Sequence, residues 1–109
     1  VLLVGVNSDE SAARLKGPGR PIMPACDRIA CLKAVRWVNW VFTFEEDTPE
    51  PMIRRLRPDV LVKGPEAAGT EIPGAEFVKS YGGSVVVPDW KVEHSTTAII
   101  EKIRQGAKA

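Results

Sequence analysis

Ser84-Val85-Val86-Val87-Pro88, then residues 89–94, then Ser95-Thr96-Thr97-Ala98-Ile99-Ile100 is the stretch that decides the fold. The β-branched run reads as a buried strand. The segment after it reads as an amphipathic helix opened by three hydroxyl residues. The first N–H groups of a helix lack internal partners, and the helix dipole makes that end favourable for anions. A strand leading into such a helix is a candidate phosphate cradle at the carboxyl edge of a sheet, where open α/β folds bind nucleotides. The same three residues also read as a plain helix cap, because Ser and Thr are good caps in any context.

Outward from that unit, strands and helices alternate. Asp59-Val60-Leu61-Val62-Lys63-Gly64 is a strand ending at a glycine, 65–73 is a loop, and 74–81 is a helix with Phe77 and Val78 buried and Gly82-Gly83 closing it. At the other end, 1–6 is a short apolar strand of the kind covered by helices on both faces. Asn7-Ser8-Asp9 is a turn and cap, and the helix 10–16 turns Ala12, Ala13 and Leu15 inward until Gly17-Pro18-Gly19-Arg20-Pro21 breaks it. Pro24 opens a helix through Arg36 with Ile29, Leu32 and Val35 on one face, and Trp40 to Phe44 form a strand with Glu45-Glu46-Asp47 as its polar exit. Thr48 caps the next helix with Pro49 at its first position; that helix buries Met52, Ile53 and Leu56 and is stopped by Pro58. This alternation predicts right-handed βαβ units, an α/β fold with a parallel sheet, and a single domain over 1–109.

The bulk numbers fit an ordinary globular domain: 109 residues, 44% apolar and 27% charged. A formal net charge of +1 nominates neither nucleic acid nor an anionic membrane as partner. No apolar run approaches the roughly 20 residues of a membrane-spanning helix, and 1–6 lacks the basic leader of a secretory signal. Cys26 and Cys31 fall about 7.5 Å apart along one helix axis, too far for an unstrained disulfide. They read as buried or partly buried free thiols in a reducing compartment, which makes the cytoplasm the expected location.

Chemistry in a parallel sheet belongs where strands end and helices begin. Four such exits carry Asn7 with Lys16, the Glu45-Glu46-Asp47 run, Lys63-Gly64 with Glu66, and the Ser95-Thr96-Thr97 turn. Together they offer two lysines and a hydroxyl cluster, a set suited to a polyphosphate, although each lysine taken alone reads as a solvated charge. His94, the single histidine, reads either as an acid–base group or as a turn residue. No metal site is expected: the acidic run is a solvated strand exit, and one histidine without cysteines or paired carboxylates binds nothing. Trp37, Trp40 and Trp90 read as core or edge packing rather than as a base-stacking platform.

Val4-Gly5-Val6-Asn7-Ser8-Asp9, Leu15-Lys16-Gly17-Pro18-Gly19-Arg20-Pro21 and Asp27-Arg28 are similar to the corresponding segments of the nucleotidyltransferases that activate sugar phosphates. The resemblance continues through Arg36-Trp37-Val38-Asn39-Trp40-Val41, Phe44-Glu45-Glu46-Asp47-Thr48-Pro49, the segment from Arg57-Pro58 to Lys63-Gly64, and Ser95-Thr96-Thr97. Within that cytidylyltransferase-like family the chain most resembles the heptose 1-phosphate adenylyltransferase domain of ADP-heptose synthesis, and glycerol-3-phosphate cytidylyltransferases are cousins. The resemblance implies a Rossmann-like fold and transfer of AMP from ATP, with Mg²⁺, to D-glycero-D-manno-heptose 1-phosphate. Pyrophosphate leaves, and ADP-heptose for lipopolysaccharide core synthesis is formed. It also implies a fused or separate sugar kinase domain as partner, and it is compatible with a homodimer.

Carried over residue by residue, the resemblance makes Lys16 the catalytic phosphate contact. It places Asn7, Lys16, Arg36, Lys63, Gly64, Glu66, Ser95, Thr96 and Thr97 around the nucleotide. Asp27 and Arg28 would orient the site. The departures are specific. The family's His-x-Gly-His turn is not among these residues, and the sequence opens at what would be the family's second strand, one βα step of roughly 30 residues in. The missing strand would lie between the strand at 1–6 and the one at 59–63, leaving two strand pairs with open apolar edges unless another segment fills the slot. Asn39 stands where relatives carry Asp, Pro65-Glu66-Ala67 replaces a Gly-Asp-aromatic turn, and Glu93 replaces a glycine. Two alternatives therefore stand beside the heptose reading: a cytidylyltransferase for glycerol 3-phosphate or a similar polyol phosphate, and a non-catalytic nucleotide-binding module. A flavodoxin-like regulatory domain is a weaker third, lacking acidic residues at Gly5-Val6-Asn7.

Overall fold

A computed structural model describes residues 1–90 and 94–108; the Glu66 and Lys108 side chains and Glu93 lie outside what is described. The elements run β1 (Leu3–Asn7), α1 (Asp9–Lys16), α2 (Ala25–Lys33), β2 (Trp40–Phe44), α3 (Glu50–Leu56), β3 (Val60–Val62), a 3₁₀ turn (Pro65–Ala67), α4 (Ala75–Ser80), β4 (Ser84–Val86) and α5 (Thr96–Lys108). The chain forms two compact units, Val1–Pro58 and Asp59–Ala109. Each holds one two-stranded sheet, β1 with β2 and β3 with β4. Both pairs are parallel, as the alternation of elements predicts.

In the first unit, β1 and β2 pair from Leu3 opposite Trp40 to Asn7 opposite Phe44, so both strands end at the same edge. Val6, Phe44 and Ile53 supply the buried apolar side chains. Ser8 caps α1: its Oγ accepts the N–H of Ser11 at 3.2 Å, while the Ser11 hydroxyl donates to the Ser8 carbonyl at 3.3 Å. The inward face of α1 differs from the one expected. Ser11 is fully buried, whereas Ala13 and Leu15 are exposed. A hydroxyl that satisfies itself locally lets the first turn sit close to the strand, and the last turn reaches out to the β2 exit instead of lying on the sheet.

The cysteines correct the sequence reading too. Both are free thiols but exposed, because α2 turns Ile29 and Leu32 toward the sheet and carries Cys26 and Cys31 on its flanks. Val35, Trp37 and Trp40 are exposed as well, so these tryptophans do not pack in the core. Thr48 is not the cap of α3; Pro49 holds that position with Pro51 inside the first turn. Only Ile53 of the expected α3 trio is buried, and the helix ends as Arg57 takes the left-handed conformation before Pro58.

In the second unit, Val60 to Val62 pair with Ser84 to Val86, and α4 packs on both strands. Val78 is completely buried. Gly83 makes room for it: a Cβ there would stand 2.6 Å from Val78 Cγ1 and 2.8 Å from the Val78 carbonyl. Phe77 and Tyr81 meet edge to face at 5.3 Å between centroids. Trp90 is exposed.

Neither β1 nor β3 is buried on both faces; each alternates, with Leu3 and Gly5 of β1, and Val60 and Val62 of β3, exposed. A sheet two strands wide offers its helices one face to cover, so the apolar runs do not become fully enclosed strands. Among the described residues no helix is long and apolar enough to cross a membrane.

Candidate functional site at the strand exits

The first unit brings two exits together. Ser8 N–H donates to the Phe44 carbonyl at 2.9 Å, joining the turn after β1 to the end of β2. Asn7 closes β1 at this edge and is half-buried. Lys16 is the last residue of α1 and is exposed, and the helix stops there because Gly17 adopts φ 92° and ψ −176°, a conformation open essentially to glycine alone. The chain then passes through Pro18 to Pro24 into α2.

Two arginines hold this arrangement. Arg14, in the last turn of α1, donates from Nε to Asp47 Oδ1 at 2.8 Å and from Nη2 to the Glu45 carbonyl at 2.6 Å. The end of α1 that bears Lys16 is thereby tied to the exit of β2. Arg28 donates from Nη2 to Asp9 Oδ1 and from Nε to the Met23 carbonyl, both at 3.0 Å. Asp9 Oδ1 also accepts the Ala25 N–H at 2.7 Å. The first turn of α2, which starts at a proline with no capping side chain of its own, is thus capped from α1. Asp27 lies exposed in the same turn.

Arg36 is not part of that cluster. It sits in the turn before β2, at the opposite end of the strands, with its guanidinium 4.8 Å from the centroid of the Trp37 ring. Both side chains are exposed.

The second unit carries the other predicted residues. Lys63 follows β3 directly; its N–H donates to the Val86 carbonyl at 3.1 Å and its side chain is exposed. Gly64 leads into the 3₁₀ turn, accepting the Ala67 N–H at 3.0 Å, and the Glu66 backbone lies within that turn. Ser95 caps α5, its Oγ accepting the Ala98 N–H at 3.0 Å. Thr96 and Thr97 open the helix with exposed side chains, and His94 before them is exposed. One hydroxyl of the trio is therefore engaged with the backbone, and two face solvent.

Among the described residues no three His, Cys, Asp or Glu side chains are grouped to hold a metal ion. Of the carboxylates at the β1–β2 edge, Asp9 and Asp47 are each engaged by an arginine. The sequence reading names Asp9 in a turn and Arg28 as an orienting residue but not their pairing, and it does not name Arg14. The partners of Arg14 and Asp9 lie 33 and 19 residues away, and no local pattern announces such pairs.

The cytidylyltransferase-like family model matches residues 1–102. A bifunctional protein HldE of Alcanivorax borkumensis is 53% identical over 104 residues, 95% of this chain and 22% of the relative. Bifunctional proteins HldE of Pseudomonas aeruginosa and Stutzerimonas stutzeri are 52% and 51% identical over the same length. The chain thus spans 22% of the length of these relatives. With the family model covering nearly every residue from β1 into α5, the chain belongs to the cytidylyltransferase-like family of nucleotidyltransferases.

Proposed function

We propose that the protein transfers AMP from ATP to a sugar 1-phosphate, with D-glycero-D-manno-heptose 1-phosphate as acceptor, releasing pyrophosphate and forming ADP-heptose for lipopolysaccharide core synthesis. Support for this reading comes from the 53% identity to a bifunctional HldE protein, and from Arg14, two residues before Lys16, bonding to the exit of β2. An oxygen of the sugar phosphate attacks the α-phosphorus, a new P–O bond forms, the bond to the β-phosphate bridge breaks, and pyrophosphate departs with the electron pair. Such a transition state needs positive charge and hydrogen-bond donors more than covalent help. Lys16 is the cation for the phosphates. In the second unit, the resemblance assigns Thr96 and Thr97, at the N-terminus of α5, to the nucleotide as well. In this reading Asn7 is the first unit's further nucleotide contact, and Lys63, Gly64 and Glu66 are the second unit's; Arg36, at the opposite end of β2, is left out. A fused sugar kinase, a cytoplasmic location and a single domain over 1–109 belong to the same proposal.

Lys16→Ala in the full-length protein tests the role of the lysine. The variant should bind ATP more weakly by about 1.5–3 kcal/mol, the range for a hydrogen bond to a charged group. Unchanged affinity removes Lys16 from the site. The family's cytidylyltransferase description favours a second reading, CMP transfer to glycerol 3-phosphate or a similar polyol phosphate, by the same in-line displacement.

A further inference from the structure

Lys16 ends a helix of eight residues whose last turn closes through one backbone bond, from the Gly17 N–H to the Ala13 carbonyl at 2.9 Å. Leu15, the one large apolar side chain there, is exposed, and Gly17 ends the helix one residue later. Short helices fray at such ends. What meets the fraying is Arg14. Its guanidinium grips the β2 exit at two points, the Asp47 carboxylate at 2.8 Å and the Glu45 carbonyl at 2.6 Å.

Both side chains of the ion pair are at least half exposed, 50% for Arg14 and 64% for Asp47. Exposed pairs of that kind add little to folding. A planar guanidinium held at two points does set direction, because its donors are fixed in one plane. The pair is therefore poorly placed to stabilise the fold and well placed to orient the turn that carries Lys16.

We propose that Arg14 is a positioning residue, acting through Lys16 by strapping the last turn of α1 to the β2 exit so that the lysine meets the phosphates. This rests on the reading of Lys16 as a phosphate contact. The test is a double-mutant cycle in the full-length protein, with MgATP dissociation constants measured by calorimetry for wild type, R14Q, K16A and R14Q/K16A. R14Q is expected to weaken binding about fivefold to tenfold, since a small misplacement is costly. Its thermal midpoint should move by no more than about 3 °C. The double variant should bind no more weakly than K16A, the signature of a residue acting through its neighbour.

Wild-type affinity in R14Q beside a weakened K16A overturns the positioning role and leaves the reading of Lys16 standing. Additive losses overturn it as well, because Arg14 then acts independently of the lysine. Wild-type affinity in K16A brings down the reading and the inference together. D47N keeps the arginine and its bond to Glu45 and carries the test if R14Q does not fold: a loss of about twofold to threefold is expected, and none overturns the proposal.

Discussion

One carboxylate oxygen of Asp9 accepts both the Ala25 N–H at 2.7 Å and the Arg28 guanidinium at 3.0 Å, so α1 caps α2 across the 17–24 loop. The loop leaves one end of α1 and is pinned again at the other. Asp9→Ala removes a helix cap and an exposed ion pair and should cost about 1–2 kcal/mol. Asp9→Asn keeps an oxygen for the Ala25 N–H and should cost less than about 1 kcal/mol. Urea unfolding of the two variants measures the difference. Equal losses would mean that the ion pair, and not the cap, supplies the stability.

Gly17 is the hinge between α1 and that loop. A side chain at φ 92° and ψ −176° is strained, although the space around it is open. Gly17→Ala should destabilise the protein by about 1–3 kcal/mol and weaken ATP binding, because relief of the strain turns Lys16 away. Thermal unfolding and nucleotide titration on the same sample check both parts. Full stability and full affinity would show that the conformation at 17 is not required.

Gly83 is tight rather than strained. Its missing Cβ leaves room for Val78, which is wholly buried. Gly83→Ala should cost about 1–3 kcal/mol as overpacking, and Val78→Ala about 1–3 kcal/mol as lost burial and packing. Both are read by chemical denaturation, and neither touches a proposed site residue. If Gly83→Ala is neutral, α4 does not press on β4 as closely as these distances indicate.

The hydroxyl trio divides its labour. Ser95→Ala removes the acceptor for the Ala98 N–H and should cost about 1 kcal/mol of stability. Thr96→Val and Thr97→Val leave the cap intact and should change stability by less than about 0.5 kcal/mol. In the proposed function they slow pyrophosphate release. Stability curves together with turnover separate the two roles: a threonine variant that is stable and fully active belongs to helix capping alone.

The strand pairs were legible because β-branched runs such as Val85-Val86-Val87 and Val60-Leu61-Val62 alternate with glycine- or proline-bounded helical segments. The exits that carry Asn7, Lys16 and Lys63 followed from those runs. Burial was less legible. Leu15, Val35 and Trp40 have the side chains of core residues, yet a sheet of two strands leaves no surface for them to cover. Ser11 looks like a surface residue and is buried because its hydroxyl is satisfied one turn back, at Ser8. Thr48 matches the cap pattern, but Pro49 and Pro51 shift the start of α3 by a residue. The pairings of Arg14 and Asp9 were invisible for a different reason. An ion pair between residues 33 or 19 positions apart depends on how helices lie against strands, which periodicity does not specify.

Nucleotidyl transfer to a heptose phosphate is read by pyrophosphate release from the full-length protein. Two substrate pairs are compared: MgATP with D-glycero-D-manno-heptose 1-phosphate, and MgCTP with glycerol 3-phosphate. Rapid release is expected with the first pair, little with the second, and a sharp fall in Lys16→Ala. Release with the second pair alone, or with neither, contradicts transfer to a heptose phosphate.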